Sequence, residues 1–176
     1  GVAIDPQPAL LDRVRRQCDV VEKEVRALRV VYDEHAGLQD RFLTTGQVTP
    51  QLAARLGLTG LAGRASGQAS DLRCDHSWSP YDRLEVVMAT QRNGDVAARV
   101  AVRFDELNES LRLVRTICAG IPGGATRVDL QPATTPSRGA GWVEGWRGEV
   151  LVALEIGADA RIVRCHCHDP SWQNWP

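Results

Sequence analysis

Near its end the chain places Cys165, His166, Cys167 and His168 in succession, four side chains each able to ligate a metal. In an extended strand neighbouring side chains point to opposite faces, so Cys165 and Cys167 share one side while His166 and His168 share the other. All four cannot close on one tetrahedral ion. Two thiolates could do so if Cys74 and His76, which have the same one-residue gap, lay opposite them and completed a set for structural zinc or iron-sulfur ligation. The competing reading is packing inside a hairpin, because Val163, Cys165 and Cys167 continue an apolar alternation and the usual two-residue zinc spacing is missing.

The densest charged cluster is Asp71, Arg73, Asp75, His76 and Asp82. A carboxylate beside an imidazole could move protons near neutral pH. The alternative is a loop stitched together by its own hydrogen bonds and ion pairs. No glycine-rich dinucleotide or phosphate-binding motif is present, and no Ser-His-Asp order suggests a hydrolase.

These residues need elements to position them. Asp5 and Pro6 read as an N-cap and first helical turn. Leu10, Val14, Cys18, Val21, Val25, Leu28 and Tyr32 then recur every three or four residues, predicting a helix to about His35 with Cys18 on its core face. Thr49-Pro50 opens a short helix that Gly57 stops, and the segment from Leu58 to Gln68 reads as loop or short helix. Arg83 to Thr90 alternates and predicts a strand. Asn93-Gly94-Asp95 caps a second long helix with Ala97, Val100, Ala101, Phe104, Leu107, Leu111, Val114 and Cys118 on its stripe, ending at Gly120 before Pro122. Glu149 to Ile156 and Ala160 to His168 predict a C-terminal hairpin about Gly157-Ala158-Asp159. The expected class is α+β, with two long amphipathic helices and a small antiparallel sheet. It is read as a single domain over 1–176, with a helical part at 1–120, a linker at 121–141 and a strand part at 142–176. The segment Trp172 to Trp175 is not predicted to be helical, and its tryptophans are expected to touch a missing part or partner, or else to cover the hairpin.

The 176 residues contain 21 Lys plus Arg against 22 Asp plus Glu, a net charge of −1, so no general attraction to nucleic acid or an anionic surface is predicted. No apolar run of about 18 residues predicts a membrane span. Five scattered cysteines form no disulfide framework and point to a reducing, cytoplasmic compartment. Because the sequence begins at Gly1 and its one methionine is Met88, it is expected to be an excised piece of a longer polypeptide.

Several motifs in consistent order carry a resemblance. Arg64, Ala65, Ser66 and Gly67 lead into Asp71, Leu72 and Arg73, then His76, Trp78, Tyr81 and Asp82; Gly94-Asp95 is followed by Arg99, Arg103, Glu106 and Ser110; and Glu144-Gly145-Trp146-Arg147-Gly148-Glu149 comes last. Together they resemble the C-terminal part of the nickel-iron hydrogenase large subunit, in the branch that includes formate hydrogenlyase and the 49 kDa subunit of respiratory NADH:quinone oxidoreductase. The resemblance implies a fragment of an electron-transfer subunit in a membrane-associated complex, inactive by itself. It implies a catalytic role for Arg147, its guanidinium over a metal centre; His76 and Arg73 of the charged cluster are the other catalytic candidates. A guanidinium suits that place, being permanently charged with a fixed fork of donors. The family's Ala-Pro before this arginine is replaced by Gly145-Trp146, and Arg147 could instead pair with Glu144 or Glu149. The resemblance further implies no cofactor in this segment. The parent would use nickel-iron or quinone, the nickel held by two Cys-x-x-Cys pairs that this sequence lacks and the quinone met by a His and a Tyr upstream. The implied partners are an iron-sulfur small subunit and other subunits that hold the chain on the cytoplasmic face of the inner membrane, with no nucleic acid. The alternative is a non-redox assembly module or a structural metal-binding domain.

Overall fold

The structure is a computed structural model and describes residues 5–127, 129 and 135–175. It is α+β: helices α1 (Pro8–Glu34), α2 (Ala36–Phe42), α3 (Pro50–Leu56), α4 (Gly60–Ala65), α5 (Leu72–Asp75) and α6 (Val96–Gly120) precede strands β1 (Ser137–Gly145), β2 (Gly148–Ile156) and β3 (Ile162–His168), with α7 (Ser171–Asn174) last. The strands form one antiparallel sheet in the order β1-β2-β3.

Helix α1 starts two residues later than its first Asp-Pro suggests, at Pro8 with Gln7 as its N-cap. Pro8 clashes with a helical conformation at the residue before it, so Gln7 is extended at φ −70° and ψ 151° and a start at Pro6 is blocked. The expected stripe is buried along a narrower line, at Cys18, Val25 and Tyr32, while Leu10, Val21 and Leu28 stay exposed. That line lies against α6, which runs antiparallel. Arg115 pairs with Asp19 and Glu22 near one end, and Tyr32 meets Phe104 at 5.9 Å between ring centroids near the other.

Helix α6 has the expected bounds. The Asp95 carboxylate accepts from the Ala98 N–H at 2.8 Å, satisfying one of the first turn's orphan donors. Its buried residues are Ala98, Val102, Leu111, Leu113 and Cys118, so the core line is rotated from the expected stripe towards Ala98 and Val102. The rotation has a cause: α4 also packs on this helix, and Ala65 joins Ala98 and Val102 in one apolar cluster beside Leu61 and Ala89. Helix α3 is as expected, with the Thr49 hydroxyl accepting from the Leu52 N–H and Gly57 in the left-handed region at φ 65°.

Three expectations fail. Residues Arg83 to Thr90 are not a strand: after a 3-10 turn at Tyr81–Arg83 the chain is irregular. Leu84 is buried as its alternation implies, but no strand lies alongside among the described residues. Side chains of α6 take the backbone groups instead, Glu109 accepting from the Val87 N–H and Arg112 donating to the Leu84 and Glu85 carbonyls. The expected linker 121–141 contains the start of β1, which pairs with β2 from Ser137↔Ile156 to Gly145↔Gly148. Its first residues, Ser-Arg-Gly-Ala-Gly, have no alternation by which to read a strand, and the register comes from β2. Positions 128 and 130–134 of that linker lie outside the described residues. The tryptophan segment does contain a turn of helix, α7, started by Asp169, whose carboxylate accepts from the Ser171 N–H and whose carbonyl accepts from the Trp172 N–H. Trp172 lies against His166 and His168 of β3 yet stays 62% exposed, and Trp175 is 79% exposed, so the segment covers the hairpin only through one edge of Trp172.

Candidate functional site

Helix α4 is Gly60, Leu61, Ala62, Gly63, Arg64 and Ala65, and its two glycines and two alanines are small enough to let its backbone press close to its neighbours. A β-carbon on Gly63 would stand 2.5 Å from the Leu58 carbonyl oxygen. Close packing leaves the one long charged side chain, Arg64, no route to solvent, and it is 2% exposed. Desolvation penalises such a charge by several kcal/mol, roughly, unless partners surround it.

The partners come from three other places in the chain. Arg64 Nε donates to Glu106 of α6 at 2.7 Å, and Nη1 donates to Glu144 of β1 at 2.8 Å and to the Ser70 carbonyl at 2.9 Å. Asp71, fully buried, lies 3.7 Å from the same Nη1. Arg73 closes the other side of Asp71 with a two-pronged grip, Nε at 2.9 Å and Nη2 at 2.6 Å. The second oxygen of Glu144 accepts from the Leu72 N–H at 3.2 Å. Burial opposes the charge on Arg64, yet Glu144, Glu106 and Asp71 outweigh it and leave the guanidinium more firmly protonated than usual. Burial likewise pushes the Asp71 carboxyl up, but the hydrogen bonds and charge of Arg73 and the charge of Arg64 hold it below the ordinary carboxylate value. Glu149 differs. It faces Glu144 directly across the β1-β2 ladder, and burial together with the Glu144 charge raises its carboxyl above the ordinary value.

This network floors a cleft of about 350 Å³ lined also by Tyr81, Arg103, Ser110 and Trp146. The ring of Trp146 carries Arg103 at 4.6 Å and Arg147 at 5.2 Å from its centroid, both within cation-π range. Arg147 itself lies in the turn between β1 and β2, its side chain exposed. Its backbone is clamped: Asn174 donates to its carbonyl at 3.1 Å, and Gly60, at φ 58°, lies so close that a β-carbon there would stand 2.2 Å from the same oxygen. Neither pairing suggested for Arg147 by its neighbours is formed among the described residues: Glu144 is held by Arg64, and Arg147 makes no ion pair with Glu149.

The charged cluster of the sequence is partly gathered. Asp71, Arg73 and Asp75 come together, Asp75 accepting from the Asp71 N–H at 2.9 Å, in the manner of a stitched loop. His76 stands apart, its ring 5.5 Å from that of Trp142, and Asp82 is exposed. The four candidate metal ligands are not assembled. Cys74 donates to the Val86 carbonyl, Cys165 and Cys167 are exposed on β3, and no three His, Cys, Asp or Glu side chains converge on a metal position among the described residues. His166 and His168 pack against Trp172 at 6.1 and 5.2 Å.

The sequence pattern of the family described as respiratory-chain NADH dehydrogenase, 49 Kd subunit, matches residues 1–142. The chain belongs to this family. Among curated relatives, the D subunit of the NADH-quinone oxidoreductase of Paramagnetospirillum magneticum is 33% identical over 138 residues, covering 78% of this chain and 35% of that protein. The carbon monoxide-induced hydrogenase of Rhodospirillum rubrum is 29% identical over 176 residues, 99% of this chain and 49% of that protein. A chain from the membrane-bound sulfane sulfur reductase, an archaeal respiratory membrane complex, shares the fold with a TM-score of 0.87 at 24% identity, over 96% of this chain and 47% of its own. The chain thus spans between a third and a half of the length of these relatives. In this family member Arg64, Asp71, Arg73 and Glu144 are legible as motif positions, whereas their convergence is not. An arginine set among glycine and alanine is the available signal, since such a helix packs too closely to leave the side chain in water.

Proposed function

We propose that this chain is part of the large subunit of a membrane-bound respiratory oxidoreductase of the formate hydrogenlyase type, and that it presents Arg147 to a redox centre outside the described residues. The observation that supports it most directly is the clamp on Arg147: Gly60, Asn174 and the anchored Glu144 fix the backbone of a turn whose guanidinium is exposed and has no ion pair among the described residues. Such rigidity around an open charge suits a residue that must meet something beyond this surface. The relatives named as hydrogenase and NADH-quinone oxidoreductase support the redox class.

The donor set present does not fit nickel. No two of the cysteines at 18, 74, 118, 165 and 167 have Cys-x-x-Cys spacing, and Cys18 and Cys118 are buried in the helical core. Nickel is therefore not assigned to these residues. The residues present act as a scaffold: Arg64 ties α4, α6 and β1 together, and Arg73 with Asp71 fixes the start of α5. Partner subunits, an iron-sulfur subunit among them, would hold the chain at the cytoplasmic face of the membrane. Among the described residues no helix is long and apolar enough to cross a membrane.

The test is purification of the tagged parent protein from detergent-solubilised membranes. Co-purification with an iron-sulfur subunit, and an electron-transfer rate that falls at least about tenfold in Arg147→Ala with the complex still assembled, is the expected result. A parent that purifies singly from the soluble fraction, or an Arg147→Ala complex of unchanged rate, overturns the reading.

A further inference from the structure

Strand β3 is an edge strand of the sheet and carries Cys165 and Cys167 two residues apart, both exposed. Alternation puts them on one face with Val163, and the ladder adds Leu154 opposite Cys165 and Val152 opposite Cys167, then Gly139 and Gly141 of β1. The two sulfurs stand 3.7 Å apart.

The spacing along the strand bears on the two things a thiol pair can do. A disulfide needs β-carbons roughly 3.5–4.5 Å apart and α-carbons rarely beyond about 6.8 Å. Residues two apart in a strand have α-carbons separated by about 6.7 Å and β-carbons at a similar spacing, so closure would require the edge strand to buckle. Two thiolates bound to one tetrahedral ion at about 2.3 Å each have sulfurs about 3.8 Å apart. The sulfur separation of 3.7 Å already matches that value. The flanking side chains are apolar, so two free thiolates side by side would be disfavoured by each other and by their surroundings, and a divalent ion would remove both penalties. Without an ion the two sulfurs share a hydrogen bond.

We propose that Cys165 and Cys167 form a two-thiolate clamp for a soft d¹⁰ divalent ion of the zinc class, with solvent in the two remaining positions. His166 and His168 project to the opposite face, where they meet Trp172, and contribute nothing to it. Cys74 and His76 are engaged elsewhere, with the Val86 carbonyl and Trp142. On binding, each thiol gives its proton to solvent and its sulfur forms one bond to the ion; no oxidation occurs.

The full chain, reduced and metal-free, is titrated with cobalt(II) by absorbance and with zinc(II) in competition with a chromophoric chelator. One equivalent per chain is expected, with a thiolate-to-cobalt charge-transfer band that disappears in Cys165→Ser and in Cys167→Ser. Each of these variants should bind zinc at least about tenfold more weakly, and Cys74→Ser should be unchanged. In the unsubstituted chain, zinc should slow maleimide alkylation of Cys165 and Cys167 at least about tenfold and leave Cys74 unaffected, a readout that needs no variant to fold. Failure of the folded chain to take up either ion, uptake indifferent to both serine variants, or half an equivalent per chain in a dimer sharing four thiolates would each overturn the single-chain clamp.

Discussion

The packing around α4 and α6 and the outer face of the sheet treat polarity in opposite ways. Around α4 and α6, charges are buried and every one has a partner: Arg64, Asp71, Arg73, Glu106 and Glu144 satisfy one another within a few ångströms. On the sheet, apolar groups and thiols are exposed: Val143, Ile162 and Val163 are 48%, 62% and 61% accessible. A buried charge network is costly to assemble and costlier to break, because removal of one member strands the others away from water. An exposed apolar sheet face costs little per residue and leaves the face available to another surface. The contrast teaches that the interior specifies how the turn at Arg147 is aimed, while the outer sheet is free to vary without loss of the fold.

That contrast can be broken in graded steps. The largest effect is expected from Arg64→Met, which leaves Glu144 buried and Glu106 half-buried without the cation that hydrogen-bonds them, while Asp71 keeps Arg73. A loss of about 3–5 kcal/mol is expected in urea denaturation, whereas a change within about 0.5 kcal/mol would show that the network is open to water. Gly60→Ala attacks the joint between the halves, because its left-handed backbone and 2.2 Å approach to the Arg147 carbonyl leave no room for a methyl group. About 3 kcal/mol should be lost, with the Trp146 fluorescence environment altered even in the surviving folded fraction.

Asp71→Asn should cost about 1.5–3 kcal/mol at neutral pH, since hydrogen bonds to charged groups are lost. Its pH dependence sharpens the point. The folded carboxyl is held below its ordinary value, so its contribution is complete above the unfolded value of about 4 and disappears as pH falls through the folded value. The acid limb of the stability curve should therefore flatten in the variant. Glu149→Gln should act in the opposite direction. A carboxyl raised in the folded state favours folding most below its unfolded value and loses that advantage as pH rises through the folded one. At pH 7 the variant should gain about 0.2–1 kcal/mol by removing the repulsion across from Glu144, and the gain should vanish below about pH 4. Smallest of all, Val163→Thr on the open sheet should leave stability within about 0.5 kcal/mol in thermal denaturation.

How much is legible depends on whether the cause is local. Thr49-Pro50 to Gly57 and Asp95 to Gly120 are readable as helices because cap, proline and glycine act on their own backbone. Arg83 to Thr90 misleads because alternation reports burial of Leu84 but not whether another strand lies beside it. Strand β1 is hidden because its pairing partner supplies the register. The site follows the same rule: Arg64, Glu106 and Glu144 are separated by 42 and 38 residues along the chain, and no local pattern links them.

The sequence by itself determined the family, the α+β class, the bounds of α3 and α6, and the placing of Cys18 and Cys118 in the core, since motif order, caps and helical periodicity are written in neighbouring residues. Only the tertiary structure decided that Glu144 belongs to Arg64 rather than Arg147, that Cys165 and Cys167 stand without Cys74 and His76, and that the line of α6 in the core runs through Ala98 and Val102. Those outcomes depend on distances between segments far apart in the chain, which close packing sets and which no single segment encodes.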